Sequence, residues 1–174
     1  MNGQQHTYFL ADGTTMVERL SIAKSLAKQQ ECLYIGESSL ILGDLAPYLM
    51  SRSPELAELF FSEGWGKAWG MVVVSKHSFE WVYKHFRRFL LVKTEDGKEL
   101  YFRFYDPRAL RIFLPTCNLS QLREFFGPVD YFICEDEDPE FGTIFTLSST
   151  QLLCKRMSKE EIEAQLHPLI KETD

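Results

Sequence analysis

No uninterrupted apolar run in this chain approaches the roughly 20 residues that a membrane-spanning helix requires, so insertion into a bilayer is not expected. The first residues, Met1 to His6, are polar and lack the charged and apolar regions of a signal peptide, and the chain reads as cytoplasmic. Metal-ligand spacing is missing too. Cys32, Cys117, Cys134 and Cys154 lie far apart with no Cys-x-x-Cys pair, and none of His6, His77, His85 and His167 has a companion at ligand spacing. Each cysteine has apolar neighbours and reads as a buried free thiol rather than half of a disulfide. Cations are the minority: 19 Lys and Arg against 25 Asp and Glu leave a net charge of −6, which disfavours nucleic acid as a partner. The segment Gly64-Trp-Gly-Lys-Ala-Trp-Gly70 has three glycines but neither the G-x-G-x-x-G order nor the Lys-Ser/Thr ending of a phosphate cradle. It reads as a tight structural loop packed on two large rings. No cofactor is expected.

What the chain does have is a core of ample size and clear local punctuation. Its 174 residues predict a single compact α/β domain, a mixed β-sheet flanked by helices, with residues 136–174 adding a short hairpin and helix to a main unit over 1–135. Thr7 to Ala11 and Glu31 to Ile35 read as strands around a helical stretch from Met16 to Ala27, a βαβ pattern whose strands are expected to be parallel. A loop leads to Asp44–Leu49, placed as an edge strand because it contains Pro47. Ser53 caps a helix begun by Pro54, Met71 to Val74 is a buried strand, and Ser78 opens a helix reaching about Arg88. Asp96-Gly97 joins strands over 89–94 and 100–105 in a hairpin with positive φ expected at both turn residues. Two short helices, a strand over 129–134, a solvated acidic connector over Glu135–Glu140, a hairpin and a last helix that Pro168 ends or kinks complete the chain.

Two residues qualify as catalytic candidates. Asp106 lies between a strand and a helix begun by Pro107, and His85 has a base's chemistry, so a small hydrolase built on the two is one reading. Capping explains Asp106 without chemistry, and His85 has no Ser or Cys nucleophile on a sharp strand-to-helix turn to activate. Charge is uneven along the sequence. From Lys84 to Arg123 nine Lys and Arg, among them Arg108 and Arg111, face four acids, a local balance of +5 that suits an acidic partner unless an internal Arg–Asp pair absorbs it. Arg103 alternates with Phe102 and Phe104, so it either meets solvent or needs a carboxylate.

The landmarks Leu10-Ala-Asp-Gly13, Leu45-Ala-Pro-Tyr-Leu49, Gly64-Trp-Gly66, Phe102-Arg-Phe-Tyr-Asp-Pro-Arg108, Phe113-Leu-Pro115 and Phe126-Gly-Pro128 follow one another over about three-quarters of the chain. In that order they resemble the type VI secretion effector chaperone, or adaptor, family, whose defining domain was first catalogued as a domain of unknown function. The resemblance implies a non-enzymatic protein that holds a cognate toxic effector in the bacterial cytoplasm and loads it onto the VgrG spike. Many members carry a helical second lobe after the domain, whereas only 46 residues follow Phe126-Gly-Pro128 here. Phe102, Phe104, Phe113 and Phe126 are expected to maintain the fold. Arg108, Tyr105, Trp65 and Trp69, residue types enriched in binding hot spots, are the expected partner contacts, with Arg111 beside them. An interaction module of an unrelated pathway is the remaining reading.

Overall fold

The strand period of two divides the apolar residues of this protein between two cores. In the computed structural model, which describes residues 4–167, β1 (His6–Asp12) sends Tyr8 and Leu10 to one side of a sheet and Phe9 and Ala11 to the other. Chain order continues with α1 (Leu20–Leu26), β2 (Gln30–Cys32), α2 (Glu37–Leu42), a 3₁₀ turn at Gly43–Leu45, β3 (Pro47–Ser51) and α3 (Pro54–Leu59). A wider π-type turn over Phe60–Gly64 leads to β4 (Gly70–Ser75), α4 (Phe79–Arg87), β5 (Leu91–Lys93) and β6 (Glu99–Tyr101). Then come α5 (Pro107–Thr116), α6 (Leu119–Phe126), β7 (Tyr131–Glu135), β8 (Phe141–Leu147), β9 (Leu152–Ser158) and α7 (Lys159–Leu166).

Seven strands form one sheet in the order β2-β3-β1-β4-β7-β8-β9, and β5 with β6 forms a separate two-stranded sheet. Strands β4 and β7 repeat the division made by β1: Met71, Val73, Phe132 and Cys134 face the first core, Val72, Val74 and Ile133 the second. Helices α4, α5 and α6 cover the first face through Val82, Phe86, Leu110, Leu114 and Phe125. Helices α1, α3 and α7 cover the second through Leu20, Ala23, Leu56 and Ile162. The result is an α/β/α sandwich.

Several expectations need correction. Every neighbouring pair in the large sheet is antiparallel. Strands β1 and β2 do run in the same direction, but β3 lies between them and bonds to both. Pro47 therefore belongs to an internal strand, tolerated because it is the first residue; the edge is β2. The stretch before Asp44, read as loop, contains α2, and Asp44 and Leu45, read as the start of the strand, belong to the 3₁₀ turn. The hairpin at Gly97 is present, with φ +81 there and no positive φ at Asp96; Thr94 N–H bonds to Lys98 O across a three-residue loop. Its second strand stops at Tyr101; Phe102 N–H makes a last bond, to Leu90 O, before the chain leaves the hairpin and Asp106 N–H turns back to Arg103 O.

The caps follow the sequence closely. Ser53 accepts from Leu56 N–H, Asn118 with Gln121 and Ser158 with Glu161 form capping boxes, and β8 and β9 extend the sheet from β7. Ser78 stands at the N-cap of α4 without a side-chain bond to it. Pro168 lies outside the described residues. All four cysteines are free thiols, as expected, but only Cys134 is buried; Cys32 and Cys117 are half-buried and Cys154 is exposed on β9.

Candidate functional site

The loop from Gly64 to Gly70 and the first turns of α5 meet at one end of the sheet, where β7 finishes at Glu135. Both tryptophans of the loop point inward. Trp65 donates its indole N–H to Pro139 O at 2.8 Å, and Trp69 covers Gly64 so closely that a Cβ there would sit 2.3 Å from the ring. These contacts account for the Gly-Trp-Gly spacing. Gly66 takes φ +86, and its N–H turns toward Glu135.

Glu135 is the residue that the sequence reading misplaced. Counted with the solvated acidic run, it is buried at the end of β7, its Oε2 accepting from Gly66 N–H at 2.7 Å and its Oε1 from Ala68 N–H at 2.8 Å. Burial pushes its pKa up, against the pull of the two N–H groups and of Arg111. The glycine loop is structural, as expected, and two of its N–H groups hold the protein's own carboxylate. The signal was available in strand alternation, because Glu135 is two residues beyond Ile133 and shares its face. Of the rest of the run, Asp136 is half-buried and Glu137 to Glu140 are exposed as expected.

Helix α5 supplies the opposite wall. Asp106 caps it by accepting from Arg108 N–H at 2.9 Å, and the Arg108 side chain returns to the same carboxylate through Nε at 3.0 Å and Nη2 at 2.7 Å. Burial would raise the Asp106 pKa, but the bonds from Arg108 outweigh it and hold it below the usual carboxylate range. Arg111 donates from Nη1 to the Glu135 carbonyl, tying the helix to β7. Arg103 donates to Asp12, which is fully buried at the end of β1, and to the Thr14 hydroxyl. Asp12, Arg103, Asp106 and Arg108 therefore form one ion-pair chain linking the Leu10–Gly13 and Phe102–Arg108 landmarks.

Between these walls runs an open groove of about 850 Å³, bordered by Lys67, Arg108, Arg111, Ile112 and Asp136. Ile112 is 72% exposed, an apolar side chain between guanidinium groups. Of the five residues expected to contact a partner, Arg108 and Arg111 line this groove, Arg108 exposed and Arg111 half-buried. Tyr105, Trp65 and Trp69 are buried and present no surface to a partner in this conformation. Rings of that size beside glycine and proline are better accommodated by packing than by exposure. Part of the basic excess of 84–123 is engaged internally: Arg103 and Arg108 pair with the buried carboxylates of Asp12 and Asp106, and Arg111 and Arg123 donate to the Glu135 and Ser149 carbonyls.

The two catalytic candidates share no partner. His85 is buried in the first core's helical layer, its Nε2–H donating to Phe125 O at 2.7 Å, and burial pushes its pKa down. Asp106 has both oxygens engaged by Arg108. Among the described residues no group of three or more His, Cys, Asp or Glu could hold a metal ion, and no helix is long and apolar enough to cross a membrane.

Residues 7–124 match the model of a family described as a domain of unknown function, DUF4123. No curated protein and no solved structure matches the chain.

Proposed function

Because the chain belongs to the DUF4123 family, we propose that it acts by binding another polypeptide, as a type VI secretion effector chaperone or adaptor that holds its cognate effector in the bacterial cytoplasm and delivers it to the VgrG spike. The observation that carries this reading is the coincidence of motif and span: five of the six landmarks lie inside the matched residues, and the sixth, Phe126-Gly-Pro128, begins just beyond them. Their placement supports the same reading. Landmark aromatics such as Phe104 and Phe126 build the first core, while the arginine that closes the Phe102–Arg108 landmark faces the groove.

The groove combines an exposed aliphatic side chain with two guanidinium groups fixed by Asp106 and by the Glu135 carbonyl. Prefixed arginines beside an apolar anchor suit recognition of a protein surface, because their side-chain entropy is already spent in the free state. Co-expression with candidate effector and spike proteins of the same bacterium tests the proposal. The adaptor should co-purify with the effector and raise its soluble yield. An effector that is stable and secreted without it, and that it does not retain, would refute the reading.

A further inference from the structure

Helix α4 carries a surface that the groove does not explain. Its inner residues Phe79, Val82 and Phe86 are buried, yet Trp81 leaves 57% of its surface in solvent, while Trp65 and Trp69 are at 8% and 4%. Single exposed apolar residues are ordinary. Trp81 differs in what surrounds it. The His77 ring lies 4.0 Å from it, centroid to centroid, and holds the indole against the start of the helix. Trp81, Lys84 and Arg88 follow at helical spacing on the outer face, with exposed Lys76 just ahead of His77 and Arg87 lying over the Tyr83 ring.

The acids near this stripe are few. Glu80 is exposed on the same helix, and Glu124 from α6 makes a long 3.5 Å contact with Arg88, both side chains more than 60% exposed, so it neutralises little. Over residues 76–88 four Lys and Arg stand against one acid, in a protein of net charge −6. A cationic stripe on an acidic molecule orients an acidic partner. Trp is also the residue most enriched among binding hot spots.

We propose that the outer face of α4, centred on Trp81 with Lys84 and Arg88, docks an acidic polypeptide segment that places one apolar side chain against the indole. This deepens the adaptor reading by assigning a second contact surface and the chemistry of what it holds. The carboxylates of the segment meet Lys84, Arg88 and Lys76, and its apolar residue covers the ring that water now touches.

The test is fluorescence anisotropy of a labelled synthetic peptide of Asp and Glu around one Phe, with its Asn and Gln counterpart as control. The acidic peptide should bind, and binding should weaken with salt. Trp81→Ala and the double variant Lys84→Glu with Arg88→Glu should each weaken it about tenfold or more, while both variants keep the wild-type thermal midpoint because none of these side chains is buried. Lack of binding, equal binding of the uncharged peptide, or affinity indifferent to both variants overturns the proposal. So does displacement of the peptide by single-stranded RNA at lower concentration, or self-association that Trp81→Ala abolishes. Failure here is separable from failure of the adaptor reading: an effector that still co-purifies with the Trp81→Ala and charge-reversed proteins leaves that reading standing without this surface.

Discussion

Arg103 places Nη2 2.5 Å from the Asp12 carboxylate, across 91 residues of sequence. Asp12 is fully buried, and its other oxygen accepts from the N–H and hydroxyl of Thr14. The guanidinium, 43% exposed along its side chain, lies over the carboxylate and extends to Asp106 at 3.8 Å. The end of β1 is thereby locked to the segment that launches α5, which fixes the angle at which Arg108 and Ile112 are presented.

Removing that cation leaves a buried carboxylate held only by Thr14. Arg103→Ala should lower unfolding stability by about 2–3 kcal/mol, read as a shift of the urea midpoint with unchanged slope. Asp12→Asn with Arg103→Ala should cost less than the two changes summed, since the groups act as one unit. Strict additivity would show that the pair does not couple.

Glu135 should give a distinctive pH signature. Its folded pKa is raised above the ordinary value of 4.5, so between those two values the native state binds the extra proton and stability contributed by this group grows as pH falls. Asp106 and Asp136, with lowered folded pKa values, act oppositely: they stabilise above the unfolded carboxylate range and lose that contribution as pH falls below it through their lower folded values. Glu135→Gln keeps one acceptor but turns an amide N–H₂ toward a backbone donor, at a cost of about 1–3 kcal/mol near neutrality. The gap between wild type and variant should widen on acidification; a gap independent of pH would contradict the assignment.

His85 has its folded pKa pushed below the ordinary 6.5, first by burial, with Arg88 adding to the effect and the Phe125 carbonyl and Glu124 opposing it. Its contribution is intact above pH 6.5 and is lost as pH falls through the range below it, because the unfolded chain takes up the proton first. His85→Gln keeps an N–H for the Phe125 carbonyl and removes the titration. Denaturation midpoints measured from neutral to mildly acidic pH should therefore fall in the wild type and stay flatter in the variant.

Local chemistry was the legible part of this fold. Ser53-Pro54, Asp106-Pro107, Asn118 with Gln121 and Ser158 with Glu161 each satisfy a helix end within three residues, so sequence alone places them. Strand order was not legible, because β3 enters between β1 and β2 through pairings that no local pattern encodes. The groove was half visible. Arg108 and Arg111 could be named from residue type and charge, and Arg103 was known to need either water or a carboxylate, but only the fold identifies Asp12 as that carboxylate. Glu135 and Trp81 were missed for opposite reasons: an acid in an acidic run was read as solvated, and an aromatic among core residues was not singled out.

The account rests on the groove beside α5 being a contact surface for another polypeptide, and titration calorimetry of the purified protein with the effector proposed as its partner tests that most directly. Ile112 is largely solvent-exposed, so Ile112→Asp should leave the thermal midpoint unchanged while weakening the complex about tenfold or more, and Arg108→Glu with Arg111→Glu should weaken it further in a salt-dependent way. Wild-type affinity retained by both variants, or no heat of association with the unaltered protein, would contradict it.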